Sequence, residues 1–175
     1  MRKILFISGS PRNGNTEYIL KKVFDKVVKD KEFVALRELN IAACSGCRSC
    51  AKTNTCVLKD DMTILAKKLL DFDTIVIWSP NYFAGVSGIL KNFIDRTCMY
   101  FHKSWLKGKK VILISTWHSK DSTNAKYIEQ GCYGFIKYHK MKLIDSYGFY
   151  SEDISFKKDP RTEKKIMKIV DQINK

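Results

Sequence analysis

Short apolar runs alternate five times with segments of helical period, and this alternation constrains the fold more than any other feature of the chain. The runs are residues 3–8 (KILFIS), 32–39 (EFVALREL), 74–78 (TIVIW), 110–115 (KVILIS) and 141–147 (MKLIDSY). Three of them are rich in β-branched residues and nearly continuous, as parallel strands covered on both faces require. Between them, residues 15–29 place Ile19, Leu20, Val23, Phe24, Val27 and Val28 on one helical face with lysines opposite. A second helix opens at Asp60 and Asp61, whose carboxylates suit a helix N-terminus, and carries Met62, Ile64, Leu65, Leu69 and Leu70. Residues 87–96 and 122–138 supply two more, and Pro160 suits the first turn of a fifth that runs to about residue 173. The pattern predicts an α/β fold, a parallel sheet with helices on both faces and its ligand beyond the carboxyl ends of the strands.

At 175 residues, with no internal repeat, linker or low-complexity segment, the chain is expected to form one domain over residues 1–175. No apolar run approaches the roughly 20 residues that a membrane span needs. The basic-then-apolar start, residues 1–8, breaks off at a Ser-Gly-Ser-Pro turn without a small-residue cleavage site, so it reads as a buried first strand. A cytoplasmic protein is the expectation. The net charge of +14 raises nucleic-acid binding, but 26 of the 32 basic residues are lysine and they are spread along the whole chain. Planar recognition of phosphates and bases favours arginine, so no nucleic-acid partner and no membrane partner is expected. The charge suits steering of anionic dinucleotides or an acidic protein toward a cleft.

GSPRNGNT, residues 9–16, has the frame of a nucleotide-triphosphate loop with Asn15 where the lysine belongs. It lies between the first strand and the first helix, where backbone N–H groups and the positive helix end converge on one anion. Ser10, Asn13, Asn15 and Thr16 offer polar side chains and Arg12 a fork for phosphate oxygens. Without the lysine, and without an evident acidic magnesium partner, a compact monophosphate suits this loop better than a triphosphate. After the third strand, Pro80, Asn81, Tyr82, Phe83 and Gly85 offer aromatic faces, a polar side chain and close backbone approach to a flat ligand. Thr116, Trp117 and His118 follow the fourth strand and are placed to close over a ring. Phosphate at the first loop and a heterocycle at the next describe a mononucleotide across a topological switch point.

Cys44, Cys47, Cys50 and Cys56 sit close together in the chain, whereas Cys98 and Cys132 stand apart. Four thiolates at this spacing suit a [4Fe–4S] cluster or a zinc site; free thiols in a lid and a redox disulfide are the other readings. A structural disulfide is disfavoured in a reducing compartment. Arg48, Lys52 and Lys59 favour thiolates in the loop. His102, His118 and His139 have no metal-ligand spacing; His118 is read as a polar contact to the ring.

GSPRNGNT, then SPNYFAGVSGILKNFIDR, then ILISTWHS after a glycine and lysines, resembles the NAD(P)H-dependent FMN-reductase-like flavoproteins of the flavodoxin-like fold. The likeness covers almost the whole chain, with the end from about Met141 weakly matched. It implies a flavodoxin-like three-layer sandwich with a five-stranded parallel sheet in the order 2-1-3-4-5. By the same likeness Ser10, Arg12, Asn15 and Thr16 bind the FMN phosphate. Pro80, Asn81, Tyr82, Phe83 and Gly85 contact the isoalloxazine, with Thr116 and Trp117 nearby, and Lys91, Asp95 and Arg96 are structural. The cysteines resemble the compact motif of the iron–sulfur flavoproteins, although similar loops also occur in FMN-only relatives.

Two functional classes follow from this resemblance. One is an oxidoreductase in which FMN takes a hydride from NAD(P)H and reduces a quinone, flavin, nitro or azo compound, or a redox partner. The flavin does the chemistry, so no catalytic side chain is expected. The other is an iron–sulfur electron carrier between FMN and a ferredoxin-like partner. Relatives of this kind are commonly dimers or tetramers, which implies a homo-oligomer.

Overall fold

The computed structural model describes residues 3–118, 124, 126–150 and 160–175, with the backbone alone for Asn15 and Thr16. Strands β1 (Ile4–Ser8), β2 (Lys31–Ala35), β3 (Thr74–Pro80), β4 (Lys110–Trp117) and β5 (Lys142–Tyr150) form one parallel sheet. Their order is β2-β1-β3-β4-β5, the flavodoxin-like order expected from the sequence. The helices are α1 (Asn15–Lys26), α2 (Cys50–Thr53), α3 (Met62–Leu70), α4 (Gly88–Arg96), α5 (Tyr127–Tyr138) and α6 (Pro160–Asn174).

Alternation along the central strands divides the core into two layers. Ile4 and Phe6 of β1, with Val76 and Trp78 of β3, pack under α1 and α6. Leu5 and Ile7, with Ile75 and Ile77, pack under α3, α4 and α5. Every residue of β1 and β3 is buried, which explains why those runs read as continuous apolar segments rather than as alternating ones. Trp78 stacks on Phe149 at 5.6 Å between ring centroids and so joins β3 to β5 across β4.

Boundaries differ from the sequence reading: β3 runs on to Pro80, β4 to Trp117 and β5 to Tyr150, so Pro80, Thr116 and Trp117 end strands rather than follow them. β2 stops at Ala35, because Leu36–Glu38 turns into a 3₁₀ helix that carries Arg37 back to Glu17 of α1. α1 stops at Lys26, because Val27 takes an extended conformation, and Val28 is left exposed. α5 begins at Tyr127 rather than at residue 122; residues 119–123 and 125 lie outside the described residues. Pro160 does open α6, where its missing N–H costs no helical hydrogen bond. No described helix is long and apolar enough to cross a membrane.

Parallel strands end on the same side, so the loops after β1, β2, β3 and β4 all lie along one edge of the sheet. The loops after β1, β3 and β4 bring their candidate residues to that edge, whereas the cysteine loop runs on from β2 to pack against the turn that follows α4.

Candidate functional site

The loop after β1 is held by close backbone approach. The Gly9 N–H donates to the Trp78 carbonyl at 2.7 Å, and a Cβ on Gly9 would stand 2.9 Å from both that oxygen and Leu90 Cβ. Only glycine fits there. Ser10 is buried and its hydroxyl donates to the Arg12 carbonyl at 2.7 Å, so it shapes the loop from within. Arg12 and Asn13 are exposed. Gly14 caps α1 without a side chain, which leaves the first-turn N–H groups of that helix open to an anion. The side chains of Asn15 and Thr16, expected to add donors, lie outside the described residues.

Glu17, buried in the first turn of α1, is an acid where an anion site would not want one. Lys21 meets it at 2.8 Å and Arg37 forms a two-toothed contact with it. Burial would raise its carboxyl pKa, but the hydrogen bonds from Lys21 and Arg37 outweigh that and hold it below the usual carboxylate range. The charge is thereby neutralised locally. Sequence reading missed this pair, because the partners lie on different elements.

The loop after β3 folds into a tight hairpin. Tyr82 and Gly85 exchange both backbone hydrogen bonds at 3.0 Å, and Phe83 and Ala84 between them take φ values of 47° and 59°. Two consecutive side-chain-bearing residues in the left-handed region carry strain of the sort that gathers at ligand clamps. The Phe83 ring is fully exposed and Tyr82 partly so. Gly85 itself has no positive φ, and a Cβ there would make an ordinary contact at 3.6 Å with the Tyr82 carbonyl. The role expected for it, close approach of the backbone, therefore rests on the space beside it and not on its conformation.

Asn81 and the end of β4 meet next to this hairpin. The Asn81 N–H donates to the Thr116 carbonyl at 2.8 Å and its side-chain amide donates to Asn124. Pro80 and Thr116 are paired in register and buried, Trp117 is half-buried and His118 is exposed. Asn81 Oδ1, Ser115 Oγ and Trp117 Nε1 are buried without a hydrogen-bond partner among the described residues. Buried polar atoms of this kind call for a partner.

The cysteine loop leaves the same edge after β2. Cys44, Cys47, Cys50 and Cys56 line one cavity of about 30 Å³, together with Ser45 and Arg48. All of them are free thiols, and among the described residues no group of three or more His, Cys, Asp or Glu side chains is arranged to hold a metal ion. The donors are right in kind for a metal centre and gathered in one place, but they are not closed into a coordination shell. Cys47 has its thiol pKa lowered, first by hydrogen bonding to the Ser49 backbone and side chain. The expected influence of Arg48, Lys52 and Lys59 is not among the causes of that shift. Cys50 has its pKa raised by burial and by the neighbouring Cys98, Cys56 and Cys44. Cys98, which looked isolated in the sequence, shares the wall of a neighbouring groove with Cys44 and so lies beside this cluster. Cys132 does stand apart, on the buried face of α5, with its thiol pushed up to about 12 by desolvation.

Arg96 fixes the base of this loop. It donates to Asp60 at 2.6 and 2.8 Å and to the Ala42 carbonyl at 2.9 Å, while Asp60 accepts from the Ala42 N–H at 3.0 Å. Asp61 accepts from the Asn40 N–H at 2.7 Å. Asp60 does cap the helix, accepting from the Met62 N–H at 3.2 Å, while its carboxylate and that of Asp61 also hold the start of the cysteine loop. Lys91 and Asp95, expected to be structural, form an exposed pair with each other at 2.7 Å.

Residues 2–146 match the family described as NADPH-dependent FMN reductase. An iron–sulfur flavoprotein of Archaeoglobus fulgidus is 40% identical over 100 residues, which cover 55% of this chain and 49% of that protein. An iron–sulfur flavoprotein of Methanocaldococcus jannaschii is 30% identical over 146 residues, covering 81% of this chain and 75% of that protein. The match thus spans about half the length of the first relative and three quarters of the second. A solved structure described as flavone reductase superposes with a TM-score of 0.74 at 20% identity, over 98% of this chain and 60% of that one.

Proposed function

The chain belongs to the NADPH-dependent FMN reductase family, and from that membership we propose an FMN-dependent oxidoreductase that takes a hydride from NAD(P)H. Its acceptor is a small molecule such as a quinone, free flavin, nitro or azo compound, or a redox partner. The observation that carries this reading is the meeting of two features on one sheet edge. The open N-terminus of α1 behind Gly14 suits a phosphate, and Asn81 Oδ1, Ser115 Oγ and Trp117 Nε1, without partners among the described residues, suit a polar ring.

Arg12, Asn13, Asn15 and Thr16 would hold the phosphate, with Ser10 keeping the loop in shape from inside. Pro80, Asn81, Tyr82, Phe83 and Gly85 would seat the ring from one side and Thr116, Trp117 and His118 from the other. FMN supplies the hydride-accepting and one-electron chemistry when bound. The chain positions it and excludes water from its buried edge. We also propose that residues 1–175 act as one domain, as a cytoplasmic homodimer or homotetramer.

A second reading is favoured by the four thiols on one cavity. Cys44, Cys47, Cys50 and Cys56 would hold a [4Fe–4S] cluster after a local closure of their loop, and the protein would carry electrons to a ferredoxin-like partner. Their loop leaves the sheet edge that would hold the flavin.

Anaerobic FMN-loaded protein mixed with NADH or NADPH tests the first reading. Fast bleaching by either is expected, and inertness toward both overturns it. Iron and sulfide analysis of anaerobic protein tests the second: about four irons per chain are expected, lost in Cys47→Ser while FMN stays. Iron-free protein that is yellow and fully active with NAD(P)H overturns it.

A further inference from the structure

Glu17 is the third residue of α1 and its side chain is fully buried, so a carboxylate sits in the helical turn whose N–H groups are open to an anion. An acid at this position ordinarily reaches back to its own helix N-terminus, where it competes with any bound anion. Here it is turned to Arg37 instead, which meets both carboxylate oxygens from the 3₁₀ turn Leu36–Glu38, one of them at 3.3 Å. The sheet register brings the two together. Ala35, the last residue of β2, pairs with Ser8, the last of β1, so the turn after β2 starts beside the loop after β1. Lys21 meets Glu17 at 2.8 Å as well, but its side chain is 52% exposed and its charge is screened by water, whereas that of Arg37 is only 19% exposed. A dianion at the open end of α1 therefore meets a carboxylate whose charge is cancelled chiefly by one guanidinium.

We propose that Arg37 is a positioning residue of the phosphate site: it cancels the Glu17 charge and holds that side chain away from the helix end, which leaves the first-turn N–H groups to the FMN phosphate. The inference rests on the reading of residues 9–16 as the phosphate loop, and it extends that site to a residue on another element. Removing Arg37 leaves a buried, uncancelled carboxylate beside the phosphate. Removing the Glu17 charge instead leaves surplus cations there, in Arg37 and Lys21. The two substitutions should therefore move FMN affinity in opposite directions. Riboflavin, which has no phosphate, should respond to neither.

Flavin-free full-length protein is titrated with FMN and with riboflavin, followed by flavin fluorescence. In Arg37→Met, FMN should bind about tenfold or more weakly, the size of one lost charge-assisted interaction, with riboflavin within about twofold of the wild type. Glu17→Gln, nearly isosteric, should hold FMN at least as tightly as the wild type, and Glu17→Gln combined with Arg37→Met should recover most of the loss. Arg37→Lys keeps the cation without the fork and should lose less than Arg37→Met. Equal losses for FMN and riboflavin in Arg37→Met, or a double variant no better than Arg37→Met, reduce the pair to a structural clasp and overturn the proposal. The Glu17→Gln comparison decides the matter even where Arg37→Met folds poorly: weaker FMN binding in that variant, with riboflavin unchanged, overturns it as well. Wild-type protein that binds FMN no better than riboflavin overturns the phosphate-loop reading and this role with it. A wild-type preference for FMN that Arg37→Met leaves intact overturns the role alone.

Discussion

Arg96 and Asp60 meet as a two-toothed ion pair, with their side chains 1% and 8% exposed, at the base of the cysteine loop. The same guanidinium holds the Ala42 carbonyl and the same carboxylate accepts from the Ala42 N–H, so a single pair fastens the start of the loop to its end. A buried pair of this kind is worth little against an apolar replacement of both partners, but it is costly to break one-sidedly. Arg96→Met should therefore destabilise the protein by about 3–5 kcal/mol, read as a lower urea midpoint. Arg96→Lys should fall in between, because one ammonium cannot bridge both oxygens and a carbonyl.

The same pair sets an acid limit. Hydrogen bonds from Arg96 are the largest cause that holds the Asp60 carboxyl below its usual range. A carboxyl with a lowered folded pKa contributes stability that is fully present above the unfolded value, about 4, and is lost as pH falls through the folded value. Glu17 adds to this in the same direction. The stability gap between the wild type and Arg96→Met should be full above about pH 4 and shrink as pH falls further; a gap that does not change with pH would show that the pair carries no pH-linked stability.

Ser87 ties the two halves of the proposed flavin site. Its hydroxyl donates to the Gly9 carbonyl and accepts from the Leu90 N–H at 3.3 Å, while its own N–H donates to Ser79 Oγ at 3.0 Å. Ser87→Ala loses the cap of α4 and the grip on Gly9, at a cost of about 1–3 kcal/mol. FMN affinity should fall with it, measured by fluorescence titration, although Ser87 is itself buried.

Phosphate recognition is tested on the loop surface. Arg12→Ala should weaken FMN by about 1–3 kcal/mol and leave riboflavin affinity nearly unchanged. Equal affinities of the wild type for FMN and riboflavin would reduce the loop to a turn.

His139 gives a separate pH signature. The Thr97 hydroxyl donates to the Ile94 carbonyl at 2.6 Å, so His139 Nε2, 3.0 Å from Thr97 Oγ, must carry the hydrogen of that contact. Nδ1 is then a buried, unpartnered acceptor, and desolvation lowers the ring pKa to about 4. The unfolded ring protonates near 6.5, so the unfolded chain binds more protons between about 6.5 and 4, and stability falls as pH drops through that window. His139→Leu should remove this slope, with stability close to wild type at pH 8 and higher at pH 5, as chemical denaturation at both values would read.

The strand order 2-1-3-4-5 came from the resemblance to flavodoxin-like flavoproteins, but the parallel sheet and the helices on both its faces were legible in the chain's own pattern. Those features depend on local period and chain order: continuous apolar runs require strands covered on both faces, and strand–helix alternation makes them parallel. The proline of α6 was legible for the same reason, since it answers a constraint within its own few residues, whereas Gly9 is required by the Trp78 carbonyl and Leu90 on other elements. What only the tertiary structure decided lies between elements distant in the chain. Asp60 reads as a helix cap and does accept from the Met62 N–H, yet Arg96 and Ala42 share the same oxygens; Glu17 lies buried in the first turn of α1, where Arg37 neutralises it from the turn after β2. Cys98 reads as solitary, yet the turn that carries it packs on α2 and Cys98 shares a groove wall with Cys44. Side chains meet across such distances only when helices dock on a common sheet, and no periodicity within one segment records which of its neighbours that docking will supply.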